Sequence, residues 1–312
     1  MKSPSFLSVC MSPTLQKILC FAEITADRVN RTARHRLDVA GKGVNITRVL
    51  TQLGKKALHL TQLGGQLRPL FLDLCAAEGL AVRWVESGSP IRFCYTLITG
   101  PSPDSPAAVT ELVEESSPVA PGTEERLLEA YRRALPDYGL VVIVGSKAAG
   151  YSDALVPGMV REAKALGRKV ILDLRGPDLL NSLEYRPDFI KPNLLEFAQT
   201  FAPELVVKNT LAGNPVSLKN RIREICRDLN GQYGTGIILT RGGEAVWYAG
   251  PRGFTEFTPE TVDPVNTTGS GDAFTAGFAA ALGDGASPAD AIALGIRCGR
   301  LNAGLLQAGT IR

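Results

Sequence analysis

The stretch VNTTGSGDAFTAGF, residues 265–278, joins a β-like approach (Thr261, Val262, Val265) to a run of small residues with helical character. Gly269 and Gly271 flank Ser270, and Asp272 follows directly. The first N–H groups of a helix have no partner within it, so such a junction can bind an anion. The stretch therefore predicts an anion site with a carboxylate at its mouth. Helix capping by Asp272 explains the same residues equally well.

The composition restricts the class of protein before any other motif is considered. With 312 residues, 45% hydrophobic and 21% charged, the chain has the composition of a globular protein rather than a disordered or membrane-resident one. The net charge of +3 is too small to indicate a nucleic-acid partner, which favours a small molecule. Six scattered cysteines and two histidines offer little for a zinc site. The N-terminal apolar run stops at Pro13, too early to span a membrane, and we expect a cytoplasmic protein.

Short apolar runs alternate with helical patterns along most of the chain. Strands are predicted at 6–11, 57–61, 140–146, 169–174, 189–193 and 236–241, and helices at 44–53, 69–78 and 155–166. Continuous apolar strands separated by helices indicate a parallel sheet that is covered on both faces. The prediction is a single domain over 1–312 with a three-layer α/β/α, doubly wound, mostly parallel sheet.

Two β-prone segments interrupt this alternation, at about 17–37 and 91–115. The second is predicted to be a hairpin whose turn is GPSPDSP at 100–106. Neither segment has enough apolar residues for a core of its own. A small sheet that projects from the main domain, as a lid or a dimer surface, accounts for both.

Two further small-residue motifs stand at the ends of predicted strands. In AGKGVN, residues 40–45, the glycines Gly41 and Gly43 would let a ligand approach, while Lys42 offers a charge and Asn45 an amide. A structural turn with a surface lysine is the alternative. In KPNLLE, residues 191–196, Asn193 and Glu196 stand three apart at a helix start. They form either a capping pair or an oxygen pair that helps to hold Mg²⁺ and phosphate through water.

Together these motifs resemble those of the ribokinase-like (PfkB-type) carbohydrate kinases over essentially the whole chain. GKGVN at 41–45 matches the first signature of that family, and TGSGDAF at 268–274 matches the second. NLLE at 193–196 matches its Asn-x-x-Glu motif, and LTRGGEAV at 239–246 resembles its nucleotide-binding strand and turn. The resemblance implies an ATP-dependent phosphotransferase that uses Mg²⁺.

Several features are similar to the branch that phosphorylates sugar phosphates, namely 1-phosphofructokinase and tagatose-6-phosphate kinase. They are Val29-Asn30-Arg31, the run GKGVNITRVL at 41–50, Arg92, Thr110-Glu111-Leu112 and Asn266. An arginine and a lysine that converge on the phosphate of the sugar make electrostatic sense, because a neutral sugar carries no dianion. The implied acceptor is a sugar phosphate of the fructose 1-phosphate or tagatose 6-phosphate type.

The family scheme carries over to this sequence position by position. It implies that Asp272 is the general base, that Gly269, Ser270 and Gly271 form the anion hole, and that Glu196 organises Mg²⁺ through water. It implies ATP contacts from Lys191, Asn193, Thr240, Gly242 and Asn302, with the adenine near 296–303. Gly41, Lys42, Asn45 and Arg92 would hold the sugar phosphate. Contact between the lids of two chains would give a homodimer.

Two departures from the family pattern leave the acceptor open. Gln16 stands where the family usually has an aspartate that binds sugar hydroxyls, and Lys147 adds a charge in GSKAAG at 145–150. Both are candidate substrate contacts, and Lys147 could equally point to solvent. The alternatives are a kinase for another sugar, a sugar acid or a nucleoside, and, from another class, a non-catalytic regulator that binds nucleotide or sugar. A dinucleotide-dependent oxidoreductase lacks support, because no GxGxxG follows the first strand.

Overall fold

The computed structural model describes residues 5–100, 108–212 and 214–312. The strands are β1 (Ser5–Val9), β2 (Thr14–Phe21), β3 (His35–Ala40), β4 (Lys56–Leu63), β5 (Val82–Glu86), β6 (Arg92–Thr99), β7 (Ala108–Val113), β8 (Leu140–Val144), β9 (Lys169–Asp173), β10 (Phe189–Ile190), β11 (Val206–Val207), β12 (Thr210–Leu211), β13 (Gly236–Leu239), β14 (Val246–Gly250) and β15 (Gly253–Phe257). The α-helices are α1 (Lys42–Gln52), α2 (Arg68–Ala77), α3 (Thr123–Ala134), α4 (Leu155–Ala165), α5 (Gly176–Leu180), α6 (Leu194–Phe201), α7 (Pro215–Tyr233), α8 (Ser270–Gly283) and α9 (Pro288–Ala303).

The main sheet has nine strands in the order β15-β14-β13-β10-β9-β8-β1-β4-β5. From β13 to β5 every neighbouring pair is parallel, whereas β14 and β15 are antiparallel additions at one edge. All six strands predicted for this sheet are present, as are the three predicted helices. The prediction of a doubly wound α/β fold is therefore confirmed.

Helices cover both faces of the main sheet, which explains why its strands are apolar without alternation. Along β1, Leu7 joins the core layer under α3 and α4, while its neighbour Phe6 joins the layer under α1 and α8. Successive side chains of a strand point to opposite faces, so a sheet that is buried on both sides needs apolar residues throughout. The sequence pattern and the three-layer architecture thus have the same cause.

A second sheet of four strands, which we call the lid, has the order β3-β2-β6-β7. Strand β2 is parallel to β6 and antiparallel to β3, and β6 and β7 form the predicted hairpin. The predicted bounds 17–37 were too narrow, because β2 and β3 stay paired from Leu19 and His35 as far as Thr14 and Ala40. Apart from Gly100, the predicted turn over 100–106 lies outside the described residues.

The outer strand of the lid, β7, is exposed along its whole length and presents Leu112 and Val113, which are 52% and 53% exposed. An edge strand with exposed apolar side chains is a surface on which another chain could pair. The homodimer through the lid stays a prediction. No helix among 5–100, 108–212 and 214–312 is long and apolar enough to cross a membrane.

The segment before α8 differs from its predicted strand-like form. No strand forms over 258–266, and Val262 is 42% exposed. The backbone N–H groups of Val265 and Asn266 both donate to the carbonyl of Ala303 at the end of α9. Because these hydrogen bonds go to a helix end rather than to a neighbouring strand, the prediction of a β-like approach was wrong.

Helix α8 is buried over most of its length, and its small residues let α9 approach closely. A Cβ at Gly277 would lie 2.8 Å from both the Leu294 carbonyl oxygen and the Cys298 sulfur. The carbonyl oxygen belongs to the backbone of α9 and cannot turn away as a side chain could. The small-residue pattern after the glycine-rich loop therefore serves helix packing.

Replacing Gly277 by alanine should lower the free energy of unfolding by about 1–3 kcal/mol, because the added methyl group overpacks the contact between α8 and α9. Gly231→Ala in α7 is the matched control, since no atom lies within 4 Å of the added Cβ. That control should raise the free energy of unfolding by about 0.4–1 kcal/mol. Urea denaturation of the two variants measures both effects, and equal stability would contradict the packing argument.

Candidate active site

The predicted anion site forms at the N-terminus of α8. Gly269 caps the helix with a φ of +81°, in the left-handed region that favours glycine, and a Cβ there would lie 2.3 Å from the backbone N of Gly309. The N–H of Ser270 donates to the Thr267 carbonyl at 3.1 Å, so this predicted anion donor is already engaged. The N–H groups of Gly271 and Asp272 belong to the first turn, where a helix leaves donors for an anion.

Two buried asparagines hold this glycine-rich loop in place. Asn266 accepts from the Thr268 N–H at 3.0 Å and donates to the Leu306 carbonyl at 2.9 Å. Asn302 donates to the Thr268 carbonyl and to Ser270 Oγ, and accepts from the Thr310 N–H. The side chain of Asn302 is therefore a scaffold for the loop, and at 0% exposure it is not open to the predicted adenine.

Asp272 lies at the start of α8 and is 7% exposed. Asn45 Nδ2, on α1, donates to Asp272 Oδ2 at 2.7 Å, although 227 residues separate the two in the sequence. Burial raises the pKa of Asp272 above its usual value, and the nearby Asp173 carboxylate adds to this; Lys42, Asn45 and Lys191 oppose it. The two predicted motifs at 41–45 and 268–274 thus meet in one buried site.

The sequence prediction missed Asp173, the carboxylate at the centre of the charges around Asp272. It ends β9 and is 2% exposed. Its Oδ2 lies 3.0 Å from Lys191 Nζ, its Oδ1 lies 3.3 Å from Lys42 Nζ, and Thr275 Oγ1 donates to it at 3.2 Å. The available signal was a polar residue at the carboxyl end of a buried strand, where parallel sheets place their sites.

Asp173 and Lys42 favour each other's charged forms. Burial alone would raise the pKa of Asp173, but Lys191 and Lys42 outweigh it and hold that pKa below the ordinary value. The Asp173 carboxylate in turn raises the pKa of Lys42 against the opposing effect of burial. Lys191 Nζ would also lie 3.8 Å from a Cβ at Gly271, which places this ammonium group next to the anion site.

Both glycines of the motif at 41–45 have structural roles in the fold. Gly41 has a φ of +99° and caps α1, so its conformation favours glycine. A Cβ at Gly43 would lie 2.3 Å from the ring of the buried His59 and 2.6 Å from Cys10 Cβ. Gly43 therefore lets α1 pack on the sheet, and the approach of a ligand to this glycine stays a prediction.

The predicted nucleotide-side residues come together beside this site. Asn193 Oδ1 accepts from the Glu196 N–H at 2.8 Å, and Glu196 Oε2 accepts from the Asn193 N–H at 2.9 Å, so the two form a capping box. Asn193 also forms a parallel bridge with Thr240, which leads into the turn at Gly242. Carboxylate and amide oxygens suit Mg²⁺ held through water. Within the described ranges no three His, Cys, Asp or Glu side chains gather into a direct metal site.

On the lid, Gln16 and Arg92 point to the same face. Arg92 pairs with Thr14 in the sheet register, and Gln16 follows Thr14 by two residues. Arg92 Nε donates to Thr14 Oγ1 at 3.2 Å and its Nη1 donates to the Glu114 carbonyl. Gln16 Nε2 donates to Thr96 Oγ1 at 2.7 Å.

Glu111 of β7 shares this face of the lid. It accepts a hydrogen bond from Thr268 Oγ1 at 3.0 Å, which joins the lid to the glycine-rich loop.

Lys147 is not brought into this cluster. Its ammonium group lies 2.6 Å from an Asp178 oxygen and 2.8 Å from an Asp153 oxygen, and it also donates to the Ser152 carbonyl. Two carboxylates compensate one ammonium group, so Lys147 is engaged in holding the loop around 147–153 to α5. The prediction that it contacts substrate gains no support from this geometry.

A pocket of ≈ 300 Å³ opens beside the end of α9, next to the glycine-rich loop. It is mostly apolar, and its lining residues are Val262, Arg300, Leu301, Gly304, Leu305 and Ile311. This pocket overlaps the predicted adenine region at 296–303 and extends it to the segment after α9.

Comparison with known proteins agrees with this arrangement. Residues 8–311 match the model of the pfkB family carbohydrate kinases. The chain is 23% identical over 272 residues to a 1-phosphofructokinase of Vibrio cholerae, which covers 87% of this chain and 81% of that protein. It superposes on phosphofructokinase-2 of Escherichia coli in complex with potassium with a TM-score of 0.84, at 18% identity, covering 99% of this chain and 95% of that one. The same enzyme in complex with fructose-6-phosphate gives a TM-score of 0.82, again at 18% identity, covering 98% and 96%.

The match over nearly the whole chain shows that this protein belongs to the pfkB family of carbohydrate kinases. The chain is an ATP-dependent sugar kinase, and the family implies a metal ion as well as ATP. The structural likenesses confirm the ribokinase-like fold that the sequence predicted.

Replacing Asp173 by asparagine should lower the free energy of unfolding by about 3–5 kcal/mol, because two ammonium groups would lose their buried counter-charge. The matched control is Asp188→Asn, which removes the carboxylate partner of Lys164 at a site where both side chains are more than a quarter exposed. The control should cost about 1 kcal/mol or less. Chemical denaturation at neutral pH measures both, and a comparable small loss in the two variants would contradict the assigned role of Asp173.

Proposed function

We propose that this kinase transfers the γ-phosphoryl group of ATP to a hydroxyl of a sugar phosphate of the fructose 1-phosphate or tagatose 6-phosphate type, with Asp272 as general base. The observation that carries the proposal is the position of Asp272. It is a buried carboxylate at the positive end of a helix, and residues of both family signatures meet there.

Asp272 has the properties that a base for this reaction needs. Its carboxylate accepts a hydrogen bond from Asn45 through Oδ2, which orients the group. Burial raises its pKa above the ordinary aspartate value, which makes the carboxylate a better proton acceptor than an exposed aspartate. As the acceptor hydroxyl attacks phosphorus, its proton would pass to Asp272.

The transferred phosphoryl group would lie between the start of α8 and the two lysines. Phosphoryl transfer depends mainly on positioning and on groups that stabilise charge on the phosphoryl oxygens. The N–H groups of Gly271 and Asp272 supply fixed dipoles, and Gly269 gives the turn that exposes them. Lys42 and Lys191 supply ammonium groups that Asp173 already holds in place, so little reorganisation is needed when the phosphates arrive.

The rest of the nucleotide would extend past Asn193 and Thr240 toward the pocket beside α9. The turn at Gly242 borders this path, and the apolar lining of the pocket suits a purine ring. Mg²⁺, when bound, would neutralise charge on the phosphates, with its water shell held by Glu196 and Asn193. The capping box holds both side chains at the start of α6, where they remain near the phosphate path.

The acceptor would lie under the lid, with its own phosphate on Arg92. The guanidinium donates to Thr14 Oγ1 and to the Glu114 carbonyl, and these hydrogen bonds fix the cation in position on the lid. Gln16, on the same lid face, would read a sugar hydroxyl with its amide. A sugar phosphate is also supported by the names of the relatives, a 1-phosphofructokinase and an enzyme crystallised with fructose-6-phosphate.

The central test is release of ADP from Mg·ATP across a panel of acceptors, with Asp272→Asn as the comparison. The panel contains fructose 1-phosphate, tagatose 6-phosphate, fructose 6-phosphate, neutral sugars, sugar acids and nucleosides. Turnover should be confined to ketohexose phosphates, and Asp272→Asn should lower kcat by about 10²–10⁴-fold because the positioned base is lost. Turnover on a neutral sugar, a sugar acid or a nucleoside alone would contradict the acceptor, and near-normal kcat in Asp272→Asn would contradict the mechanism.

Replacing Arg92 by methionine should raise KM for the sugar phosphate by roughly 10- to 100-fold, because charge-assisted hydrogen bonds to the phosphate are lost while the apolar stem remains. KM for ATP should change little. Lys17→Met is the matched control, since Lys17 lies on the same strand as Gln16 but points to the opposite face of the lid. Steady-state kinetics with each substrate varied in turn measures the two KM values. An equal effect on both would count against Arg92 as a phosphate ligand.

A further inference from the structure

Arg48 occupies the centre of a buried hydrogen-bond network that the reaction as described does not use. Its side chain is 2% exposed and forms an ion pair with Glu78. The remaining donors of the guanidinium point away from Glu78, toward α1 and the segment that follows α9. The guanidinium therefore links α1 to Glu78 and to the segment after α9.

One branch of the network leads to the general base. Arg48 Nη1 donates to Asn45 Oδ1 at 3.1 Å, and Asn45 Nδ2 donates to Asp272 Oδ2 at 2.7 Å. Arg48 therefore lies one helical turn from Asn45 and two hydrogen bonds from the Asp272 carboxylate. Among the described residues, Asn45 is the side chain whose hydrogen bond reaches Asp272.

The chemistry of the two groups fixes the orientation of the Asn45 amide. A guanidinium has donors and no acceptor, whereas an ionised carboxylate has acceptors and no donor. The amide between them satisfies both neighbours in one orientation, with its oxygen toward Arg48 and its NH₂ toward Asp272. If the amide turned over, its NH₂ would face the guanidinium and its oxygen would face the carboxylate.

A second branch leads to the backbone that supports the anion site. Arg48 Nη1 also donates to the Ala308 carbonyl at 3.2 Å, and Nη2 donates to the Val39 carbonyl at 2.6 Å. Gly309, the next residue, packs against Gly269 and Asn45 so closely that a Cβ on it would lie 2.2 Å from Asn45 Cβ. These hydrogen bonds therefore hold the guanidinium itself in place beside Asn45.

We propose that Arg48 is a positioning residue for phosphoryl transfer: it locks the Asn45 amide so that Nδ2 donates to Asp272. The inference rests on the proposed role of Asp272 as the base. Loss of Arg48 would let the amide turn over, so that the carboxylate would lose its donor and its fixed orientation.

The effect on Asp272 has a definite direction. The groups that face it are Lys42 of α1, Lys191 after β10, Asp173 at the end of β9, Cys10 after β1 and Asn45 itself. Donation from Asn45 lowers the pKa of Asp272, against burial and the Asp173 carboxylate, which raise it. Without that donor the pKa rises further, and the base becomes protonated at a higher pH.

The experiment compares Arg48→Met, which keeps an apolar stem and removes the donors, Asn45→Ala and the double variant with the unaltered enzyme. The readouts are kcat, both KM values and the pH dependence of kcat/KM, with the sugar phosphate on which the enzyme turns over. Arg48→Met should lower kcat by roughly 10- to 100-fold, since a displaced catalytic group has costs of that order. The acid limb of the kcat/KM profile, along which activity is lost as the pH falls, should move to higher pH. The phosphate of the substrate titrates equally with every variant, so the difference between profiles belongs to the protein.

We call the action of Arg48 on Asp272 through the Asn45 amide the relay. The double variant distinguishes this relay from simple loss of structure. If Arg48 acts through Asn45, the double variant should be hardly slower than Asn45→Ala, because the second change removes nothing further from the relay. Ile222→Ala, a buried change in α7, serves as a control for lost stability and should leave the acid limb unmoved. If Arg48→Met does not fold, Arg48→Gln takes its place, because the glutamine amide has both a donor and an acceptor and so does not fix the orientation of Asn45.

Three results would overturn the inference: an unchanged acid limb in the Arg48 variants, unchanged kcat, or losses that multiply in the double variant. These are distinct from failure of the proposed function. If Asp272→Asn keeps near-normal turnover, the proposed base is wrong and the relay falls with it. If Asp272→Asn is strongly impaired while the Arg48 variants behave like Ile222→Ala, the base stands and the relay alone is wrong.

Discussion

The site depends on one ion cluster, in which the buried Asp173 carboxylate holds the buried Lys191 and the partly exposed Lys42. Burial of charge is unfavourable unless the charges are paired and hydrogen-bonded, and here one carboxylate pairs with two ammonium groups. The cluster therefore stabilises the fold less than an apolar core of the same volume could. What it provides is a pair of cations that are already in place where phosphate oxygens would lie, so that the cost of ordering them is met during folding.

The topology of the sheet explains why distant motifs meet. The ends of β9 and β10 supply Asp173 and Lys191, and the capping residues of α1 and α8 lie at the same edge. In open α/β sheets this carboxyl edge is where ligands bind, because loops and helix N-termini converge there. The lid is joined to this edge by contacts such as the hydrogen bond from Thr268 Oγ1 to Glu111. A nucleotide on one side and a sugar phosphate on the other would then share the space above Asp272.

Much of this arrangement could be predicted from the sequence, because its strands, helices and glycine-rich junctions have strong local patterns. Asp272, Asn45, Lys42 and Lys191 were predicted and do converge. Asp173 and Arg48 were missed, since each is an ordinary polar residue in its local sequence and gains its role from partners far away in the chain.

Gly43 and Asn302 are the opposite case, in which the local motif is clear but the surroundings in the fold could not be foreseen. They stand in motifs that indicate ligand binding, yet their surroundings, a buried histidine ring and a closed hydrogen-bond network, make them structural.

The structure of a ternary complex would test the central claim most directly. The enzyme would be crystallised with Mg²⁺, a non-hydrolysable ATP analogue and the acceptor on which it turns over. The account predicts the acceptor hydroxyl at about 2.6–3.2 Å from an Asp272 oxygen and in line with the γ-phosphorus. It also predicts the γ-phosphate oxygens between the start of α8 and the ammonium groups of Lys42 and Lys191. A hydroxyl held by another group, with Asp272 turned away from it, would contradict the account.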